Sequence, residues 1–323
     1  MRIDDAVSRF LDDRRARLLA PNSLARYQAS LTLWQRHPHT PADLADVQID
    51  HFRRFLVYLL DDHIPHTVNP KRPAVETRGM APSSVLSTRT VLRAFWTFAG
   101  NEGWLSAEQM GFFRGDRIPK PKVEEQDRPF WNDDLVDALL EACDRRPEEE
   151  VLRNRAMIVL IYESGLRVDE LCRLTDALCD LADKSARIVG KGGKRRWVFW
   201  GERTADALDA YCAVRRGESG GPLFRSVSPK NNGGPLAADS VRQQLKQLAK
   251  NAGVELPSGA PAHSGRHGFA HAMIDGGADI SQVSQLMGHA NVNTTMRYLR
   301  EGKDKLQEIH RQATQRRKRK TNL

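Results

Sequence analysis

Five short segments in the second half of the chain combine guanidinium, ammonium, imidazole and phenol groups. They are Ser164–Leu171 (SGLRVDEL), Gly190–Lys194 (GKGGK), His263–His267 (HSGRH), Leu286–His289 (LMGH) and Thr294–Tyr298 (TTMRY). Such a set suits reaction at a phosphodiester. That group is already an anion, and nucleophilic attack builds more negative charge in the transition state. Cationic donors in fixed positions stabilise this charge, and guanidinium is well shaped for it because its fork bonds two phosphate oxygens at once. A tyrosine hydroxyl ionises only near pH ~10, so attack at neutral pH needs a neighbouring positive field or a base. Taken singly, each segment also has a plain structural use. GLR opens many helices, GKGGK makes a good hairpin turn, and Tyr298 could be a core residue of an amphipathic helix.

Taken together, in this order and spacing, the segments resemble the tyrosine recombinase family, also called the phage integrase family, and in particular its Xer-like and simple-integrase members. The resemblance covers nearly the whole chain. It is densest over Glu163–Leu174 and His263–Tyr298, and it extends to Thr77–Ser84 (TRGMAPSS) and Leu92–Trp96 (LRAFW) in the first half.

The resemblance implies that Arg167 and Arg266 clamp the scissile phosphate and that Glu170, one helical turn beyond Arg167, buttresses the cluster. It makes Tyr298 the nucleophile, forming a 3′-phosphotyrosine and releasing a 5′-hydroxyl. Lys191 is the general acid that protonates that leaving oxygen; Lys194 competes for the role by position, and alignment with the family favours Lys191. His263 and His289 hydrogen-bond the phosphate or position Tyr298. The covalent intermediate keeps the phosphodiester energy, so no cofactor is implied: neither ATP nor a metal.

The implied partners are double-stranded DNA carrying specific recombination sites, and a homo-tetramer (or related recombinase subunits) assembled on it, with strands exchanged through a four-way junction. Two alternatives are a type IB-like topoisomerase, against which the hairpin and first-half matches argue, and a protein that binds DNA without cutting. The second predicts a missing member of the reacting set, and none is missing.

The sequence departs from the family pattern in places. Gly265 stands where leucine is usual before the second arginine, which is expected to loosen how Arg266 is held. Leu299-Arg300 replaces the common Thr-His after the nucleophile. No small domain precedes Met1–Leu11, so an arm-site-binding module is not expected. His263, His267 and His271 recur at four-residue spacing, a zinc-like pattern on one helix. HSGRH lacks the glutamate of an HExxH site, and Gly265 argues against a continuous helix from His263.

The elements that must position these groups follow from periodicity. Ile3, Val7, Phe10 and Leu11 mark one helix; a second begins at Asn22 or Ser23 and carries Leu24, Tyr27, Leu31 and Trp34. A third spans Ile49–Leu60, and a fourth runs from Ser83 or Ser84 to about Ala99, ended by Gly100 and Gly103. His63–Pro82, rich in Pro, Lys, Arg and Thr and without periodicity, reads as a long loop, of a length that is usually functional or mobile.

Arg117–Arg128 reads as a solvated linker. Beyond it the pattern predicts helices over Asn132–Cys143, Glu148–Tyr162, Ala238–Asn251, His267–Asp275, Ile280–Met287 and Thr294–Arg300. Two short strands, Arg187–Val189 and Trp197–Trp200, flank GKGGK. The expected fold is mainly α with a small β-hairpin or sheet, in two domains. The resemblance implies that residues 1–116 are a helical core-binding, SAM-like DNA-binding bundle, 117–128 the linker, and 129–323 a mixed α/β catalytic domain with a basic C-terminal tail.

Composition agrees. The chain has 323 residues and a formal charge of +9, which favours a polyanionic partner. From Leu299 to Leu323 there are nine Lys or Arg against three acids; a solubilising tail explains part of that excess equally well. No run of about 18 apolar residues occurs, and MRIDDAVSRFLDD lacks the apolar core of a secretory signal. No membrane partner is expected, and the protein is placed in the cytoplasm, associated with the nucleoid. Cys143, Cys172, Cys179 and Cys212 form no CxxC pair and read as reduced, mostly buried thiols.

Overall fold

A computed structural model describes residues 1–64, 78–123, 129–145, 148–190, 193–215, 220–229, 231–257 and 261–289. Lys191, Tyr298, the basic tail, the helix expected over Thr294–Arg300 and most of the His63–Pro82 loop lie outside these residues. The chain divides into two compact units, Met1–Gln126 and Asp127–Leu323. Among the described residues no helix is long and apolar enough to cross a membrane.

The first unit contains α1 (Ile3–Ala16), α2 (Pro21–Gln35), α3 (Ile49–Asp61), α4 (Pro82–Asn101) and α5 (Ala107–Met110). Its core is aromatic. Trp34 stacks on Phe52 at 5.2 Å, and Phe95 and Trp96 close around it. Some of its buried polar groups reach across elements for partners. The Trp96 indole donates to the Gln109 carbonyl at 2.7 Å, and the Gln109 amide donates to the carbonyls of Leu44 and Val47.

The helices differ at their ends from the sequence expectation. Both α2 and α4 start on a proline, at Pro21 and Pro82, rather than on a polar cap; the first position of a helix needs no N–H. Helix α4 also runs through Gly100 to Asn101, because its packed face outweighs the glycine's low propensity. The expected linker is not solvated from its start. Ile118 is fully buried, and its carbonyl accepts from the Arg89 guanidinium at 2.6 and 3.1 Å.

The second unit is built on α7 (Glu148–Ser164), buried along most of its length and packed by α6 (Asp133–Glu141), α9 (Glu202–Val214) and α11 (Pro261–Asp275). Helix α8 (Val168–Leu171) follows α7 directly, and α10 (Ala238–Ala252) and α12 (Ile280–Met287) complete the helices. Capping defines the borders. Asn132 accepts from the Leu135 N–H at 3.0 Å to start α6, and Asp279 pairs with Gln282 in a capping box to start α12.

The sheet is antiparallel in the order β1 (Cys179–Asp180), β2 (Ser185–Val189), β3 (Arg195–Phe199), with Ile188 opposite Arg196. The expected hairpin is present with longer strands and one added strand. Helix α9 was not expected, and α11 begins at Pro261 rather than His267. Cys143 is buried, whereas Cys172, Cys179 and Cys212 are only half-buried, and all four are free thiols.

Candidate active site

Helix α7 ends at Ser164, and Gly165 turns the chain with φ +60°. A side chain at Gly165 would collide with the ring of Phe269, so glycine is required both for the turn and for the approach of α11. The turn delivers Arg167 to the start of α8. There the Arg167 N–H donates to Glu170 Oε2 at 2.8 Å, and its guanidinium donates to Glu170 Oε1 at 2.8 Å. The Arg167 side chain keeps 32% of its surface exposed.

Glu170 is shared. Arg196, on the inward side of β3, donates to both carboxylate oxygens at 2.8 and 2.9 Å, and Arg266 comes within 4.0 Å of Oε2. Burial by itself would raise the Glu170 pKa. The hydrogen bonds from Arg196 and the Arg167 backbone, with both arginine charges, overcome it and hold the carboxyl at about 2.

Arg266, on α11, is fully buried. It donates to the Gly165 carbonyl at 2.6 Å and to the Met287 carbonyl, so it ties the α7–α8 turn to the end of α12. Arg196 reaches the same end, donating from Nε to the Leu286 carbonyl at 3.0 Å. Two guanidiniums thus meet carbonyls at the negative pole of a helix, where cations are stabilised.

Beyond that end Gly288, at φ +62°, closes the helix. Its N–H bonds Gln285, and the His289 N–H bonds Ser284 at 3.0 Å. His289 is half-buried, and its pKa is pushed down to about 4 by burial, then by the charges of Arg266, Arg167 and Arg196, with His263 adding to them. At neutral pH its imidazole is therefore uncharged.

Gly265 does not interrupt α11, and Arg266 is not loosened by it. A Cβ at Gly265 would lie 2.8 Å from Ile161 and 3.0 Å from the Trp131 ring, and a Cβ at Gly268 would collide with the Trp131 carbonyl. The two glycines form a flat face against which Trp131 is buried, and the Trp131 N–H donates to the Ser264 carbonyl at 3.3 Å. Packing here offsets the helix cost of glycine, about 1 kcal/mol at each position.

His263 is exposed in the first turn of α11, its ring 4.8 Å from that of His267, while His271 stacks on Phe130 at 3.9 Å. Among the described residues no group of three or more His, Cys, Asp or Glu side chains could hold a metal ion.

The structure therefore brings Arg167, Glu170, Arg266 and His289 into one cluster, with His263 near enough to act on His289. It adds two residues that sequence reasoning missed, Arg196 and Trp131. A signal existed for Arg196. Alternation over Arg195–Phe199 sets it on the same side as buried Val198, and a charged side chain on the core side of a strand needs a partner. Arg167, Arg196 and Arg266 face one carboxylate, so the cluster carries excess positive charge in a partly dry setting. Such an arrangement can accept an anion.

The model of the phage integrase family matches residues 130–305. The chain is 28% identical over 313 residues to tyrosine recombinase XerD of Shewanella oneidensis, spanning 96% of each protein. It is 32% identical over 298 residues to tyrosine recombinase XerD of Mycobacterium leprae, spanning 87% of each. In fold it is similar to the Tn1549 transposon integrase in complex with a circular intermediate DNA, with a TM-score of 0.74 at 15% identity, covering 97% of this chain and 99% of that one. With the family model matching more than half of its length and a relative above 30% identity over most of it, the chain belongs to the phage integrase family and is by class a tyrosine-type site-specific recombinase.

Proposed function

We propose that the protein cleaves and rejoins double-stranded DNA at specific sites through a transient bond between Tyr298 and the 3′ phosphate. The observation that carries this reading is the cluster of Arg167, Arg196 and Arg266 around the single carboxylate of Glu170. One carboxylate leaves an excess of cationic charge that a phosphodiester completes. The DNA bound to the Tn1549 integrase in its solved structure supports DNA as the partner.

In the proposed reaction Arg167 and Arg266 hold the scissile phosphate while the Tyr298 oxygen attacks phosphorus and its proton passes to neutral His289 or to solvent. The phosphorus–5′-oxygen bond breaks, and Lys191 gives that oxygen its proton. Rejoining reverses the roles: a 5′-hydroxyl attacks the phosphotyrosine and the tyrosine oxygen leaves. Neutral His289 hydrogen-bonds the phosphate or the nucleophile without adding to ground-state charge, and His263 serves from the outer side. One phosphodiester is exchanged for another, so no step needs ATP or a metal.

Residues 1–116 act as the core-binding domain and residues 129–323 as the catalytic domain, each contacting DNA largely through phosphates. Affinity then falls steeply with salt. Four protomers assemble on two sites and exchange strands through a four-way junction.

Nicked duplexes drawn from DNA flanking the gene test this reading, incubated with the full chain in EDTA. The nick lets a short fragment diffuse away, so a covalent complex accumulates and migrates slowly on a denaturing gel. A covalent band in wild type, absent in Tyr298→Phe, supports metal-independent tyrosine cleavage. Tight binding to the same duplexes without a covalent band contradicts it.

A further inference from the structure

Arg196 is given no step in the reaction above, yet its side chain makes more of the cluster's contacts than that of Arg167 does. Both of its terminal nitrogens meet Glu170, at 2.8 and 2.9 Å, and its Nε meets the Leu286 carbonyl at 3.0 Å. Its side chain is 9% exposed. Its stem passes so close to Gly288 that a Cβ there would lie 2.7 Å from Arg196 Cδ. One side chain therefore fastens strand β3, the carboxylate beneath Arg167, and the helix end that presents His289.

The hydrogen bonds at Glu170 show what this fastening does. Oε1 accepts from Arg167 and Arg196, and Oε2 accepts from the Arg167 N–H and Arg196. A carboxylate has about four lone-pair sites, so these contacts saturate it. Glu170 then cannot close on Arg167 as a bidentate pair, the geometry that carboxylate and guanidinium otherwise prefer. Arg167 gives it one guanidinium bond and keeps 32% of its side-chain surface exposed.

We propose that Arg196 is a positioning residue for strand cleavage: by saturating Glu170 and tying it to the end of α12, it keeps the Arg167 fork open to the phosphate and holds His289 beside it. The proposal rests on the recombinase reading. It predicts that loss of Arg196 lets Glu170 pair with Arg167 through both oxygens, which neutralises the cation meant for DNA. Lysine does not substitute, because an ammonium is a point donor and cannot bridge both oxygens and a carbonyl together.

The test compares wild type, Arg196→Lys and Arg196→Gln in the full chain. Single-turnover cleavage is measured on the nicked duplex that wild type traps, DNA affinity on the same duplex, and amide hydrogen exchange without DNA. Both variants are expected to cleave roughly 100-fold more slowly, the scale of a misplaced catalytic group, while Kd stays within about 3-fold because phosphate contacts elsewhere dominate affinity. The Gly288 and His289 amides exchange faster in both variants, and α7 core amides such as Leu160 do not.

Near-normal cleavage by Arg196→Lys overturns the proposal, as does a rate loss matched by an equal loss of affinity. A uniform rise in exchange including α7 also overturns it, since that marks a purely structural role. If wild type traps no DNA, the recombinase reading is what fails. Exchange at Gly288 and His289 then decides the anchoring alone, and unchanged protection in Arg196→Lys refutes it.

Discussion

Glu170 and Arg196 are joined by two hydrogen bonds of 2.8 and 2.9 Å, and the acid they lock in place belongs to a helix 26 residues upstream of the arginine. The pair sits almost wholly out of water, with Glu170 2% and Arg196 9% exposed. Such a pair is costly to break from one side, because the partner is left as an uncompensated buried charge.

Glu170→Gln is accordingly expected to destabilise the catalytic unit by roughly 3 kcal/mol at pH 7, read by urea unfolding. The pH dependence follows from the carboxyl being held at about 2, below its ordinary 4.5. A lowered acid pKa means the unfolded chain binds the proton more readily, so this stability is complete above pH 4.5 and disappears as pH falls toward 2. Wild type and Glu170→Gln should converge in stability across that window. Parallel pH profiles would count against the ion-pair account.

His289 should remain uncharged well below neutrality. Its pKa of about 4 reflects burial first and the arginine charges second. A depressed histidine pKa likewise gives stability that is complete above the ordinary 6.5 and is lost as pH falls toward 4. Histidine NMR should show His289 titrating near 4, well below the ordinary 6.5. Replacing Arg167 with Gln should raise that pKa while leaving it below 6.5, because burial remains. A His289 that titrates near 6.5 in wild type would contradict the buried cationic setting.

Leucine at position 265, the residue usual in the family, should not suit this chain. The new side chain would enter space held by Ile161 and Trp131, and such overpacking costs about 1–3 kcal/mol. Trp131→Ala alone should cost about 3–5 kcal/mol. The double variant should be more stable than the sum of the two losses, since the leucine fills the space the indole leaves. Simple additivity in urea unfolding would show that Trp131 and Gly265 are not packed as described.

Lys191 and Lys194 should separate cleanly. Lys194 is exposed, and its carbonyl closes the hairpin by accepting from the Gly190 N–H at 2.7 Å. Lys194→Ala is expected to cleave nicked duplexes at close to the wild-type rate, whereas Lys191→Ala slows cleavage by a factor of roughly 100 or more. A duplex with sulfur in place of the 5′ bridging oxygen should restore Lys191→Ala, because a thiolate leaves without being protonated. Failure of sulfur to restore it would mean that Lys191 is not the acid.

Much of this could be read from the residue pattern. Helices with one apolar stripe, such as Ile49–Asp61 and Ile280–Met287, declare themselves because burial sets a period of about 3.6. Arg167, Glu170, Arg266 and His289 were legible as a set, through their order along the chain. What escaped depends on three-dimensional fit. Helix α9, with the sequence ERTADALDAYCAV, interleaves small and charged residues and hides its buried face at Thr204, Leu208 and Tyr211.

Helix α11 carries Gly265 and Gly268 in its interior, which local propensity reads as a break and which Trp131 turns into a docking face. Arg196 lies in a run of five residues, Lys194 to Val198, three of them basic. Such a run reads as a solvated turn until its partner, Glu170, is known.

The most direct measurement is mass spectrometry of the covalent DNA complex after nuclease and trypsin digestion. Cleavage after Arg297 and Arg300 isolates Tyr298-Leu299-Arg300. The account predicts this tripeptide carrying a 3′-linked nucleotide on Tyr298, formed in EDTA and lost in Tyr298→Phe. A nucleotide on any other side chain, or no adduct from protein that binds the DNA tightly, would contradict it.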